Sequence, residues 1–172
     1  MTEFYLAFFQ NKNRFNPFAK IIEVVEKRET SHVEIVMITD YKVDEGVTWG
    51  SIFPKSRKMS LLEFKKHYKA ERMIPLITKL PDSSCEAILD SLCDKPYSFI
   101  QVILAGIKIL AKGTAAELNL VKPNLSKYLI CTELAGIFMQ EACGYRFDES
   151  PELLTLNDIE RIALKNLLKD ET

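Results

Sequence analysis

Residues 128–144 read YLICTELAGIFMQEACG, an extended apolar run that turns into a helix at Cys131. With the helix starting at Cys131, residues Ala135, Phe138 and Ala142 follow at i+4, i+7 and i+11 and share its face. The cysteine therefore heads a core-facing stripe, and Gly144 makes a good C-terminal stop. Unpaired cysteines are among the most buried residue types, so the stripe by itself reads as core. Its position supports a second reading. A thiol at a helix N-terminus meets unpaired N–H groups and the positive end of the dipole, which favour the thiolate. The same N–H groups suit a developing oxyanion. Cys85, Cys93 and Cys143 fall mid-helix or C-terminal and read as structural.

Working outward, SHVEIVMI (31–38) is β-branched and apolar and reads as a central strand. Alternation puts Val33, Ile35 and Met37 on one face and His32, Glu34, Val36 and Ile38 on the other. A first strand is expected over 3–9. VTWGSIF (47–53), after the turn-like YKVDEG, is an expected antiparallel partner of the 31–38 strand, and RMIPLIT (72–78) is an edge strand because of Pro75. Helices are expected over 17–28, over 59–69 with Ser60 and Glu63 as a capping box, over 81–93, over 96–111 and over 155–169. Residues 112–127 read as a loop. Strands cluster in the first half and helices in the second, so the fold class is α+β. At 172 residues the chain makes one domain over 1–172, large enough to bury about 70% of its unfolded surface.

Composition narrows the function classes. Hydrophobic content is 47%, charged content 27% and net charge -1, with no basic excess to suggest nucleic acid. The start, MTEFYLAFFQNKNRF, carries Glu3 and too short an apolar run for a secretory signal. FIQVILAGIKIL (99–110) is too short to cross a bilayer and contains Gln101 and Lys108, so no stable membrane insertion is expected. It reads as a core helix, or as a surface serving a lipid substrate. The expected compartment is the reducing cytoplasm, without disulfides. Four cysteines without C-x-x-C spacing and two histidines argue against a structural zinc site, and no metal or cofactor is expected.

A thiolate enzyme needs a base. His67, in FKKHYK, sits in a basic solvated helix, whereas His32 opens the central strand at one end of an otherwise apolar face. Glu34, two residues on and about 7 Å along the strand, can accept the second imidazole N–H and fix the tautomer. Each signal also has a bland reading: a structural histidine, a solvated edge carboxylate, a core cysteine.

Together, S-H-V-E-I-V on a strand, K-P-Y-S-F before a helix and apolar-C-T-E-L-A at a helix start resemble the circularly permuted branch of the NlpC-type, papain-like cysteine hydrolase superfamily. That branch includes bacterial and phage proteins and is related to the lecithin retinol acyltransferase group. In papain the cysteine helix comes first; here His32 precedes Cys131 by 99 residues, the permuted order. The resemblance implies a small antiparallel sheet packed against helices, among them the cysteine-bearing one. It implies Cys131 as nucleophile, His32 as general base and the Cys131 backbone N–H as one oxyanion donor. The family usually adds a third polar residue, often from the strand after the histidine. In VTWGSIF that strand offers only Thr48 and Ser51, so the third role falls to Glu34, with Ser51 second. Tyr97 is a candidate for support of the cleft, and Glu133 suits the first turn of the cysteine helix.

The expected function is a thiol hydrolase, amidase- or peptidase-like, forming an acyl-enzyme on a peptide, amide or ester. Peptidoglycan peptides are a natural substrate class for the superfamily, an intracellular peptide, isopeptide or lipid amide is equally open, and a virion or host-cytoplasmic location would suit a phage-encoded protein. Alternatives are a lipid-directed acyltransferase or thioesterase of the same fold, a non-catalytic binding module that keeps the fold, and an α+β interaction protein without cleft chemistry.

Overall fold

The computed structural model of the chain describes residues 2–13, 17–39, 45–98, 128–148 and 150–170. The N-terminal apolar run forms β1 (Thr2–Asn11). It is followed by α1 (Pro17–Glu26), which stops where Lys27 turns to φ +53°. SHVEIVMI forms β2 (His32–Thr39), and VTWGSIF forms β3 (Val47–Ile52). Next come β4 (Lys55–Ser60), α2 (Leu61–His67), β5 (Tyr68–Leu76) and α3 (Asp82–Ser91). The cysteine segment forms α4 (Cys131–Glu141), and after a 3-10 turn over Pro151–Leu153 the last helix is α5 (Leu156–Asp170). The segment 99–110 and the loop 112–127 lie outside the described residues.

The strands make one five-stranded antiparallel sheet in the order β4-β3-β2-β1-β5, so the class is α+β. β2 is central, and apart from His32, Glu34 and the terminal Thr39 it is apolar, as suits a strand paired on both sides and covered on both faces. Pro75 sits on β5, an edge strand. The other edge, β4, carries Lys55, Arg57 and Lys58, a basic row that discourages pairing with a further strand.

The alternation along β2 divides the core. Val33 and Ile35 join Phe4, Leu6, Phe8 and Trp49 in a large cluster against α3, α4 and α5. Val36 and Ile38 join Ala7 and Phe9 in a smaller cluster under Leu61 and Phe64 of α2. Each aromatic ring buried in these clusters stabilises by roughly 2–3 kcal/mol relative to exposure. Phe138 of α4 meets Phe4 at 5.5 Å between ring centroids.

Local chemistry fixes the helix starts. The Ser60 hydroxyl accepts from Glu63 N–H at 3.2 Å, the expected cap of α2. At α5, Thr155 Oγ1 accepts from Asp158 N–H while Asp158 Oδ2 accepts from both N–H and hydroxyl of Thr155. Glu26 reinforces that start from α1: its Oε1 accepts from Leu156 N–H at 2.9 Å. Among the described residues no helix is long and apolar enough to cross a membrane.

Candidate active site

Cys131 is the first residue of α4. The residue before it, Ile130, is extended (φ -112°, ψ 166°) and its apolar side chain caps nothing, so no side chain closes off the helix start from that position. The approach to the helix is held by backbone and hydroxyl contacts. Leu129 N–H donates to Pro96 O at 2.9 Å, and Leu129 pairs with Tyr97 in a short parallel bridge. Ser51 Oγ on β3 donates to Leu129 O at 2.7 Å. The cysteine is thus tied to the sheet through Leu129, two residues before it.

His32 opens β2 opposite Phe9 of β1. Its ring lies beside Phe64 (5.9 Å between centroids) and Tyr68 (5.6 Å), which belong to the α2 side of the sheet. Cys131 belongs to the opposite cluster. The two meet at the end of the sheet, where His32 as first residue of its strand lies at the boundary between the two packed faces. Both are 6% exposed.

Glu34 is 1% exposed, and its Oε1 lies 2.7 Å from His32 Nε2. Its Oε2 accepts from the Thr48 hydroxyl on β3. With Nε2 on Glu34, Nδ1 is the ring nitrogen left to face the Cys131 thiol, which lies close enough to raise the pKa of the ring. Space for this carboxylate comes from Gly50, the next β3 residue in register beyond the Ile35↔Trp49 pair. A Cβ at Gly50 would overlap the carboxylate and sit 2.7 Å from Glu34 Cγ. The glycine is needed for close approach, not for an unusual φ.

The electrostatics follow from burial and these contacts. Burial of the His32 ring opposes its protonation, but the Cys131 charge and hydrogen bond, joined by those of Glu34, overcome it and raise its pKa to about 9. The imidazolium is the form these neighbours favour. The other thiols are in the reverse situation. Burial pushes Cys143 up to about 12, with the charge of Cys85 adding to the effect and Lys79 opposing it. Burial also raises Cys85 and Cys93.

A cleft of about 80 Å³ adjoins His32, lined also by Ser31, Ser51, Phe53, Tyr68 and Tyr97. Tyr97 lines this cleft. It is held by its N–H to Pro54 O at 2.9 Å, and Pro96 beside it pairs with Lys55. The helix expected from residue 96 does not begin there, because the backbone of 96–97 is committed to these bridges. Burial raises the Tyr97 pKa, with the charges of Cys131 and Tyr68 adding.

The structure joins His32 to Glu34 by a hydrogen bond and sets Cys131 close enough to act on the His32 ring, whereas the Ser51 hydroxyl is engaged with the backbone before Cys131. His67 is exposed at the far end of α2. Thr48, Gly50 and Tyr68 were not assigned site roles from the sequence. The alternation of β3 against β2 is the signal that could have found Thr48 and Gly50, since both face Glu34. Ser31 and Thr132 carry buried hydroxyls without hydrogen-bond partners among the described residues, each one position from a member of the pair. Among the described residues no group of three or more His, Cys, Asp or Glu side chains is arranged to hold a metal ion. No family model and no curated protein matches the chain.

Proposed function

We propose that the chain is a cysteine hydrolase of the permuted papain-like, NlpC-type kind, acting on a peptide, amide or ester bond. The observation that carries the reading is the buried relay Glu34–His32–Cys131, with the thiol on the first residue of a helix. The strand bearing the histidine precedes the helix bearing the cysteine, the order expected of the permuted fold.

In this reading the Cys131 thiolate attacks the carbonyl carbon, and the C–O double bond opens to a tetrahedral oxyanion. The Cys131 backbone N–H, at the start of α4, donates to that oxyanion. His32, protonated with Nε2 on Glu34, gives its Nδ1 proton to the leaving nitrogen or oxygen as the bond to carbon breaks. Water then attacks the thioester while neutral His32 takes its proton, and expulsion of the Cys131 sulfur as thiolate restores the imidazolium–thiolate pair. Glu34 orients the ring and stabilises its charge throughout, as a buried carboxylate does for an imidazole base. A lipid-directed transfer would use the same thioester with an alcohol or amine in place of water.

The test is to trap the acyl group. Incubation with p-nitrophenyl acetate, acid quench and peptide mass spectrometry are expected to place one acetyl on Cys131. Cys131→Ser should abolish that thioester, and His32→Ala should slow its formation at least a hundredfold. Acetylation spread over lysines and the other cysteines, unchanged in both variants, would remove the basis of the proposal.

A further inference from the structure

Most polar side chains on the cleft beside His32 are already engaged. Glu34 takes the His32 ring, Ser51 Oγ donates to Leu129 O at 2.7 Å, and Asn11 Oδ1 accepts from Asn13 N–H at 2.8 Å. Tyr68 has its ring stacked on Phe64, 4.5 Å between centroids and 6° between planes. Ser31 stands apart. It lines the same cleft and directly precedes His32, with Cα atoms about 3.8 Å apart. It is 5% exposed, and its hydroxyl has no hydrogen-bond partner among the described residues.

The backbone of Ser31 has a structural task and the side chain does not. Ser31 N–H donates to Phe9 O at 3.1 Å, which carries the contact between β1 and β2 up to the histidine. A buried hydroxyl without a partner costs stability, because it has given up water for nothing in return. An alanine at this position would keep the bond to Phe9 and shed that cost. The hydroxyl is thus idle in the fold and open to a group that enters the cleft. It discriminates between such groups, because one that lacks the matching polar atom leaves it buried and unpaired.

We propose that Ser31 is a specificity-determining residue, its hydroxyl accepting a hydrogen bond from an N–H on the α-carbon of the acyl group that Cys131 takes up. The inference rests on the hydrolase reading and sharpens it toward acyl groups with an α-amide and away from plain alkyl chains. The position suits the contact. The Cys131 thiol lies close enough to act on the His32 ring, and Ser31 adjoins His32 in the chain. The nitrogen on the α-carbon is only two bonds from the carbonyl carbon that the thiol attacks, so it enters the cleft together with the reacting group. Such an N–H is a donor that a serine hydroxyl, with its two lone pairs, accepts.

The experiment compares two nearly isosteric esters on the full chain, p-nitrophenyl N-acetylglycinate and p-nitrophenyl 4-oxopentanoate, in which a methylene replaces the N–H. Release of p-nitrophenol gives kcat/KM for each, and peptide mass spectrometry places the acyl group. The ratio of the first kcat/KM to the second is expected to fall about tenfold or more in Ser31→Ala, with the 4-oxopentanoate rate unchanged. Ser31→Ala should also melt no lower than the wild type, since it removes an unpaired polar group. A ratio that is the same in wild type and Ser31→Ala, or a melting temperature lowered by the substitution, overturns the role of Ser31 and leaves acylation of Cys131 standing. Absence of an acyl group on Cys131 with both esters overturns the hydrolase reading, and this inference with it.

Discussion

Gly50 offers a sharp test of how the candidate site is built. The three atoms nearest a Cβ added there all belong to Glu34, so Gly50→Ala must displace the carboxylate from His32 Nε2 and from the Thr48 hydroxyl. Losing charge-assisted bonds of this kind costs about 2–4 kcal/mol, and replacing a strand glycine by alanine returns about 0.5–1 kcal/mol. The net expected destabilisation is about 2 kcal/mol. Placed in a Glu34→Ala background, the same substitution meets only an ordinary cross-strand methyl pair and should stabilise by roughly 0.5 kcal/mol. The coupling is then about 2.5 kcal/mol. Urea unfolding of the four proteins, with m-values held equal, measures it. If the two substitutions add within about 0.5 kcal/mol, Gly50 does not make room for Glu34 and the reasoning fails.

Three further expectations concern single groups. The His32 pKa, followed by imidazole NMR, should lie near 9 in the wild type. It should fall in Cys131→Ala, where burial is opposed by Glu34 alone, and fall less in Glu34→Gln. Ser51→Ala, whose hydroxyl serves Leu129, should leave it unmoved. The raised His32 pKa also links pH to stability. Protonation of the ring contributes about 3 kcal/mol that is fully present below pH 6.5 and lost as pH rises through about 9. Urea titrations at several pH values should find this loss in the wild type and not in Cys131→Ala. Glu26, whose pKa burial raises against the hydrogen bonds from Leu156 and Asn157, should be improved by Glu26→Gln at neutral pH. The gain should shrink as pH falls and the wild-type carboxyl protonates, as thermal melts at pH 4 and pH 7 would register.

Much of this was legible because the residues concerned obey local rules. The alternation in SHVEIVMI divided two cores along β2, Ser60 announced α2, and Pro75 confined β5 to an edge. The start of α4 at Cys131 followed from apolar spacing and was observed there. β4 was not legible: KSRKMS has no hydrophobic period, and its strand character comes from pairing with β3. Tyr97 was read at the start of a helix because PYSFI precedes an apolar run, yet its backbone is held by distant partners, Pro54 and Leu129. The choice between Glu34 and Ser51 as the group beside His32 depended on register. Once Ile35 faces Trp49, Thr48 and Gly50 share the side of Glu34, and Ser51 points to the other face, toward the Cys131 approach. A single sequence does not contain that register.

The most direct test of the paired thiol and imidazole is the pH dependence of alkylation. Iodoacetamide labelling is followed at each of the four cysteines by peptide mass spectrometry between pH 5 and 9. Cys131 is expected to react at pH 6, where Cys85, Cys93 and Cys143, their pKa values raised by burial, stay unlabelled. His32→Ala should remove that low-pH reactivity. Labelling of Cys131 no faster than the other three, or unchanged by His32→Ala, would contradict the account.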